Sequence, residues 1–154
     1  MRYLQNELTK KGWKVTLNEQ HFGIYFDLIG FKKIFTIAKW NVLIRKIEIF
    51  DKNAMTEWEI NFKILSDESK SYLWGRGFVL CLIINKISPE INDNIEILSD
   101  SFGAFRVKGG GGTILIANKE NKEVIGYVPK IPMDVRICTK LMKELLQNSF
   151  DELE

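Results

Sequence analysis

Apolar and polar positions change their spacing several times along these 154 residues. In "RYLQNELTKKGW", Leu4 and Leu8 share a face, lysines gather in the last turn, and Gly12 follows. That pattern predicts a short helix closed by a left-handed glycine. "WKVTL" alternates Trp13, Val15 and Leu17 against Lys14 and Thr16, the period of a half-buried strand. "GIYFDLIG" and "KKIFTIAKW" are rich in β-branched and aromatic residues, and predict two strands with a turn near Gly30. "VLIRKIEIF", Val42 to Phe50, predicts a further strand.

The next stretch fits two periods at once. Trp58, Ile60, Phe62 and Ile64 alternate with Glu57, Glu59, Asn61 and Lys63, as in a strand. Ile47, Phe50, Ala54, Trp58, Phe62 and Leu65 also fall on one helical stripe. A capping Asn53, a Thr56–Glu59 capping-box spacing and an i,i+4 pair of Glu59 with Lys63 favour a helix over about 53–71. "RGFVLCLIINKIS" is apolar without alternation, the profile of a strand buried on both faces. Ser88 and Pro89 are placed to start a helix through "EINDNIEIL". "TILIANKENKEVIGYVP" predicts a hairpin, and "PMDVRICTKLMKELLQNSF" a closing helix with Val135, Cys138, Leu141, Met142 and Leu145 on its inner side. Strands mixed with helices, without repeat or linker, predict a single α/β domain over 1–154.

Composition narrows the class. Hydrophobic residues are 45% and charged residues 27%, a globular balance. The longest uncharged apolar run, Phe78 to Ile84, falls far short of the roughly 20 residues that span a bilayer, so no membrane association is expected. The start of the chain has no apolar stretch of the secretory kind. Cys81 and Cys138 stand apart in apolar surroundings, as buried thiols of a cytoplasmic protein do. His21 is the only histidine, and nothing near it in sequence suggests a zinc site.

The net charge is +2, unevenly spread. Residues 1–50 carry nine Lys/Arg against four Asp/Glu, and residues 51–100 carry five against nine. Such a basic first third suits either a phosphate-facing surface or the solvated side of a helix and strands. Its candidate phosphate contacts are Lys10, Lys11, Lys14, Lys32 and Lys33, with Arg106 and Lys108 from further along. "VKGGGGT" puts Gly109, Gly110, Gly111 and Gly112 beside those last two cations. The run reads either as a cradle of backbone amides for a phosphate or as a mobile loop feeding the hairpin. It is no P-loop, since no GK[ST] follows. Tyr72, Trp74 and Arg76 form a further aromatic–basic group, fit for stacking or for closing a core.

The order helix, strand, strand, strand, helix, strand over residues 1–88, with "ELTKKGWKV" leading to "FDLI", resembles the core of the PD-(D/E)XK, or restriction-endonuclease-like, superfamily. The resemblance implies a mixed sheet flanked by helices. It sets Asp27 in the place of the family's metal-binding aspartate, Lys39 in that of its lysine, and Glu7 in that of the helical acid of some members. The second metal-binding acid is replaced by Ile37, two residues before Lys39. A site so altered implies a core that does not cut and has no cofactor. Magnesium would enter only if Glu48 or Asp51 took over the missing oxygen ligand. The expected function is a non-catalytic nuclease-like module that binds nucleic acid or serves as an accessory subunit. A small inhibitory or toxin-neutralising protein with a protein partner is the alternative, and a metal-dependent nuclease with a displaced acid the third reading.

Overall fold

A computed structural model describes residues 1–34, 38–69, 76–91, 106–107, 110–126, 128 and 133–152. All its strands join one mixed sheet. In chain order the elements are α1 (Arg2–Lys10), β1 (Lys14–His21), β2 (Ile24–Ile34), β3 (Ala38–Phe50), α2 (Lys52–Glu68), β4 (Arg76–Ile87), β5 (Arg106–Val107), β6 (Gly110–Asn118), β7 (Glu123–Ile125) and α3 (Met133–Gln147). A short 3-10 turn, Phe150–Glu152, follows. The sheet order is β1-β2-β3-β4-β6-β5, with β7 also paired to β6. The β1–β2, β2–β3, β5–β6 and β6–β7 pairs are antiparallel, whereas β3, β4 and β6 run parallel to one another. The fold is therefore α+β, as the sequence pattern predicts, and the helix–strand order expected over residues 1–88 is the order observed.

β4 is the centre. Every residue from Gly77 to Ile84 is buried, because helices cover both of its faces. Val79, Cys81 and Ile83 meet Leu4 and Leu8 of α1 and Cys138, Met142 and Leu146 of α3 on one face. Phe78, Leu80, Leu82 and Ile84 meet Trp58, Phe62 and Leu65 of α2 on the other. Both thiols are buried and form no disulfide, and burial pushes the Cys81 thiol pKa upward.

Several boundaries differ from the sequence reading, each for a local reason. Gly30 is no turn: β2 runs straight through it, with Trp13 and Leu8 packed near its bare Cα. Segments expected as three strands over 23–50 are two long ones. α2 starts earlier than expected, because Asp51 rather than Asn53 is its cap, accepting the Ala54 N–H at 2.8 Å. Gly110–Gly112 form no loop but the first rungs of β6, paired with Arg76–Phe78. The helix expected after Ser88 falls largely outside the described residues; Ile91, at its start, is buried. His21 is half-buried against Phe22, and that burial lowers its pKa.

Two glycines hold the sheet in register by what they leave out. A Cβ on Gly77 would come within 2.3 Å of the Trp40 ring, its neighbour on β3. A Cβ on Gly112 would come within 2.2 Å of the Phe78 ring, its neighbour on β4. Each ring lies flat over a bare backbone across one strand pair, which seals a sheet end that two glycines would otherwise open to water.

Gly77→Ala and Gly112→Ala are each expected to cost about 1–3 kcal/mol by overpacking, whereas Gly30→Ala, whose new Cβ would meet neighbours at 3.4 Å or more, stays near neutral. Phe62→Ala, which empties a buried site 5.3 Å from the Phe78 ring, should cost about 3–5 kcal/mol, against almost nothing for exposed Glu57→Ala. Urea denaturation midpoints check both contrasts.

Candidate nucleic-acid interface and the Asp27 junction

The register gathers the predicted cations at one end of the sheet, where β3, β4 and β6 begin. Lys14 pairs with Phe31, next to Lys32 and Lys33 on β2. Lys33 pairs with Lys39 across β2–β3, and Lys39 with Arg76 across β3–β4. Arg76 pairs with Gly110, and Gly111 with Arg106. One rung of backbone thus carries three cationic residues in succession and then Gly110, the first residue of β6. α1 brings its C-terminal end to the same place: the Lys32 ammonium donates to the Lys11 carbonyl, a cation on a helix's negative end. Lys10, Lys11, Lys14, Lys33 and Lys39 are exposed. Lys108 and Gly109 lie outside the described residues, as do Tyr72 and Trp74.

Few acids offset this charge. Glu7 accepts from Lys10 at 2.6 Å, and that bond raises the Lys10 pKa. Asp67 and Glu68 end α2. Like charges directly opposite on neighbouring strands repel, so the Lys33–Lys39 pair works against the ladder that contains it. The Trp13 indole N–H, where the chain enters β1, is buried and has no acceptor among the described residues.

Asp27 stands at the other end of the sheet. Antiparallel pairing puts Lys39 opposite Lys33, six positions along β2 from Asp27, or roughly 20 Å at 3.3 Å per residue. The two residues that the sequence reading set in one site are not brought together. Ile37 lies outside the described residues. Glu7 is engaged with Lys10 on α1.

What Asp27 does instead is visible in the ladders. β1–β2 pairing passes from Leu17↔Leu28 to Glu19↔Phe26, stepping over Asp27, and β2–β3 pairing ends at Leu28↔Ile44. Leu28 belongs to the core under α1 and α3, but Phe26 to the core under α2, where its ring lies 6.1 Å from Trp58. The hairpin therefore changes face at this rung, helped by the left-handed backbone of Asn18 (φ 56). Asp27 secures the departure. Its carboxylate accepts the Lys46 backbone N–H at 2.8 Å, replacing a ladder bond, and an Arg45 N–H at 3.3 Å. Arg45 also lies over the Tyr25 ring at 4.7 Å, and Tyr25 donates to Asn18 Oδ1 at 2.9 Å.

The acids considered as replacement ligands are likewise occupied. Glu48 accepts from Asn85 at 2.7 Å, and Asp51 caps α2. Among the described residues no group of three His, Cys, Asp or Glu side chains is placed to hold a metal ion, and no helix is long and apolar enough to cross a membrane. The family resemblance pointed to Lys39 as the partner of Asp27; the neighbours it missed are Arg45 and Lys46, and only the lengths of β2 and β3 would have revealed them.

Compared with family models, curated proteins and solved structures, the chain matches none.

Removing the Asp27 carboxylate strands a backbone donor, so Asp27→Ala should cost about 1–3 kcal/mol in denaturation. Calorimetric titration of the wild type with Mg²⁺ or Mn²⁺ should show no micromolar binding at Asp27. Micromolar binding that disappears in Asp27→Asn would contradict the structural role assigned here.

Proposed function

We propose that this chain is a nucleic-acid-binding module built on a nuclease-like core, gripping phosphates with the sheet end where the parallel strands begin and leaving cleavage to others. The reading is supported by one observation above all: the rung Lys33–Lys39–Arg76, three cations opposite one another across β2, β3 and β4. A rung of like charge weakens a sheet unless something anionic lies against it. A phosphate backbone meets that need, since cations that neutralise it release its counterions. The bare backbone of Gly110 continues the rung, with Gly111 on the rung beside it, and lets a ligand approach closely. Asp27, bonded to Lys46 and Arg45 and far from Lys39, speaks for binding over cutting.

Phosphate contacts of this kind position a duplex or single strand without reading its bases. Affinity should therefore fall steeply with salt and depend little on sequence. Lys33→Ala with Lys39→Ala should flatten the slope of log K against log salt by about two units if both touch phosphate. The same pair should hold or raise stability by roughly a few tenths of a kcal/mol, because the repulsion across β2–β3 is gone. Gel shifts at several salt concentrations, with denaturation of the same proteins, check both. No binding at low salt, or an unchanged slope, transfers the case to the protein-partner reading.

A further inference from the structure

Side chains alternate between the faces of a strand, and directly paired residues share a face. On β3, Trp40 and Val42 belong to the core under α1 and α3, and Leu43 to the core under α2. Lys39 and Asn41 therefore stand on the α2 face. Pairing carries that face outward to Phe31 on β2, opposite Asn41, and to Lys14 on β1, opposite Phe31. Lys33, paired with Lys39, joins them. Lys32 alternates to the other face, where it meets the end of α1. Lys14, Lys33 and Lys39 are exposed, and Phe31 and Asn41 half-buried. Among the described residues Phe31 belongs to neither core and packs against neither.

An aromatic ring is thus set among three ammonium groups on one face of the sheet. Measured along the backbone, Lys14 lies one strand spacing from Phe31, about 5 Å, and Lys33 two residues on, about 7 Å. Such a group offers a flat apolar surface for a base and cations for the phosphates on either side of it. A duplex can use only the cations, because its bases are already stacked on one another inside the helix. A single strand can splay a base out onto the ring. We infer that the ligand of this sheet end is a single-stranded nucleic acid, with a base stacked on Phe31 and the flanking phosphates on Lys14, Lys33 and Lys39. The inference rests on the reading of these lysines as phosphate contacts, and adds to it the form of nucleic acid that is bound. Every base has a π-face, so the preference is for a single strand over a duplex and not for a sequence. Asn41, opposite Phe31, sets a side-chain amide on the same face, beside the stacked base.

Fluorescence-anisotropy titrations of the full chain at low salt test it, with a labelled oligothymidylate and with the same strand annealed to oligoadenylate. The single strand should bind more tightly than the duplex, a comparison that needs no variant. Phe31→Leu, which keeps apolar bulk and removes the ring, should weaken single-strand binding roughly 5- to 150-fold and close the gap to the duplex. Phe31→Tyr, which keeps the ring, should retain the preference. The salt slope should stay the same in Phe31→Leu, because stacking releases no counterions, whereas Lys33→Ala with Lys39→Ala flattens it. A duplex bound as tightly as the single strand overturns the inference and leaves the phosphate reading standing. So does Phe31→Leu that binds the single strand like the wild type. Absence of binding to either probe overturns both. Circular-dichroism melts of the variants establish that they are folded.

Discussion

β4 can be hidden from water only if helices cover both of its faces, since no residue between Gly77 and Ile84 is charged or exposed. That demand organises the molecule. It brings β3 and β6 alongside in parallel, sends α2 across one face, and lays α1 and α3 on the other. The register is then locked by rings over bare backbone: Trp40 over Gly77, and Phe78 over Gly112. A slip of one residue would move each ring off its glycine and turn the apolar side chains of β4 to the opposite faces.

Both candidate sites follow from this register. At the end where the parallel strands begin, it lines up Lys39 with Arg76, while the β2–β3 hairpin sets Lys33 against Lys39. At the far end β3 continues to Phe50 beside β4, but β2 has turned away to pack Phe26 on Trp58. A strand leaving a ladder strands backbone donors, and Asp27 takes one of them with its carboxylate. The acid that seemed chemical is a structural fastening, and the lysine read as its partner belongs to the other end.

Much of the architecture was legible because burial leaves a periodic mark. The unbroken apolar run of β4, the stripe of α3 and the hairpin around 119–122 all carry it. The strand-or-helix ambiguity over 57–64 resolved as a helix, since Trp58, Phe62 and Leu65 reach the core together while Ile60 and Ile64 stay outside. Gly12 closes α1 in the left-handed region as the pattern predicts, but glycine misled at two other places. Gly30 and Gly110–Gly112 read as turn and loop, yet they lie within strands, and at Gly112 it is the Phe78 ring, a long-range neighbour, that needs the space. The pairing of Asp27 with Lys39 failed for a related reason: twelve residues of separation say nothing about register until the lengths of both strands are known. The gathering of the N-terminal lysines was legible as a charge bias alone, and became a surface only through strand pairing.

Lysine footprinting of the folded protein tests the proposed surface most directly. Amine labelling read by mass spectrometry, with and without a short duplex at low salt, reports which ammonium groups the nucleic acid covers. Protection should concentrate on Lys10, Lys11, Lys14, Lys33 and Lys39, and spare Lys63, Lys86 and Lys122, which lie on other elements or at the opposite end. Protection spread evenly over all lysines, or centred on Lys46 and Lys119 at the far end of the sheet, would contradict the assignment.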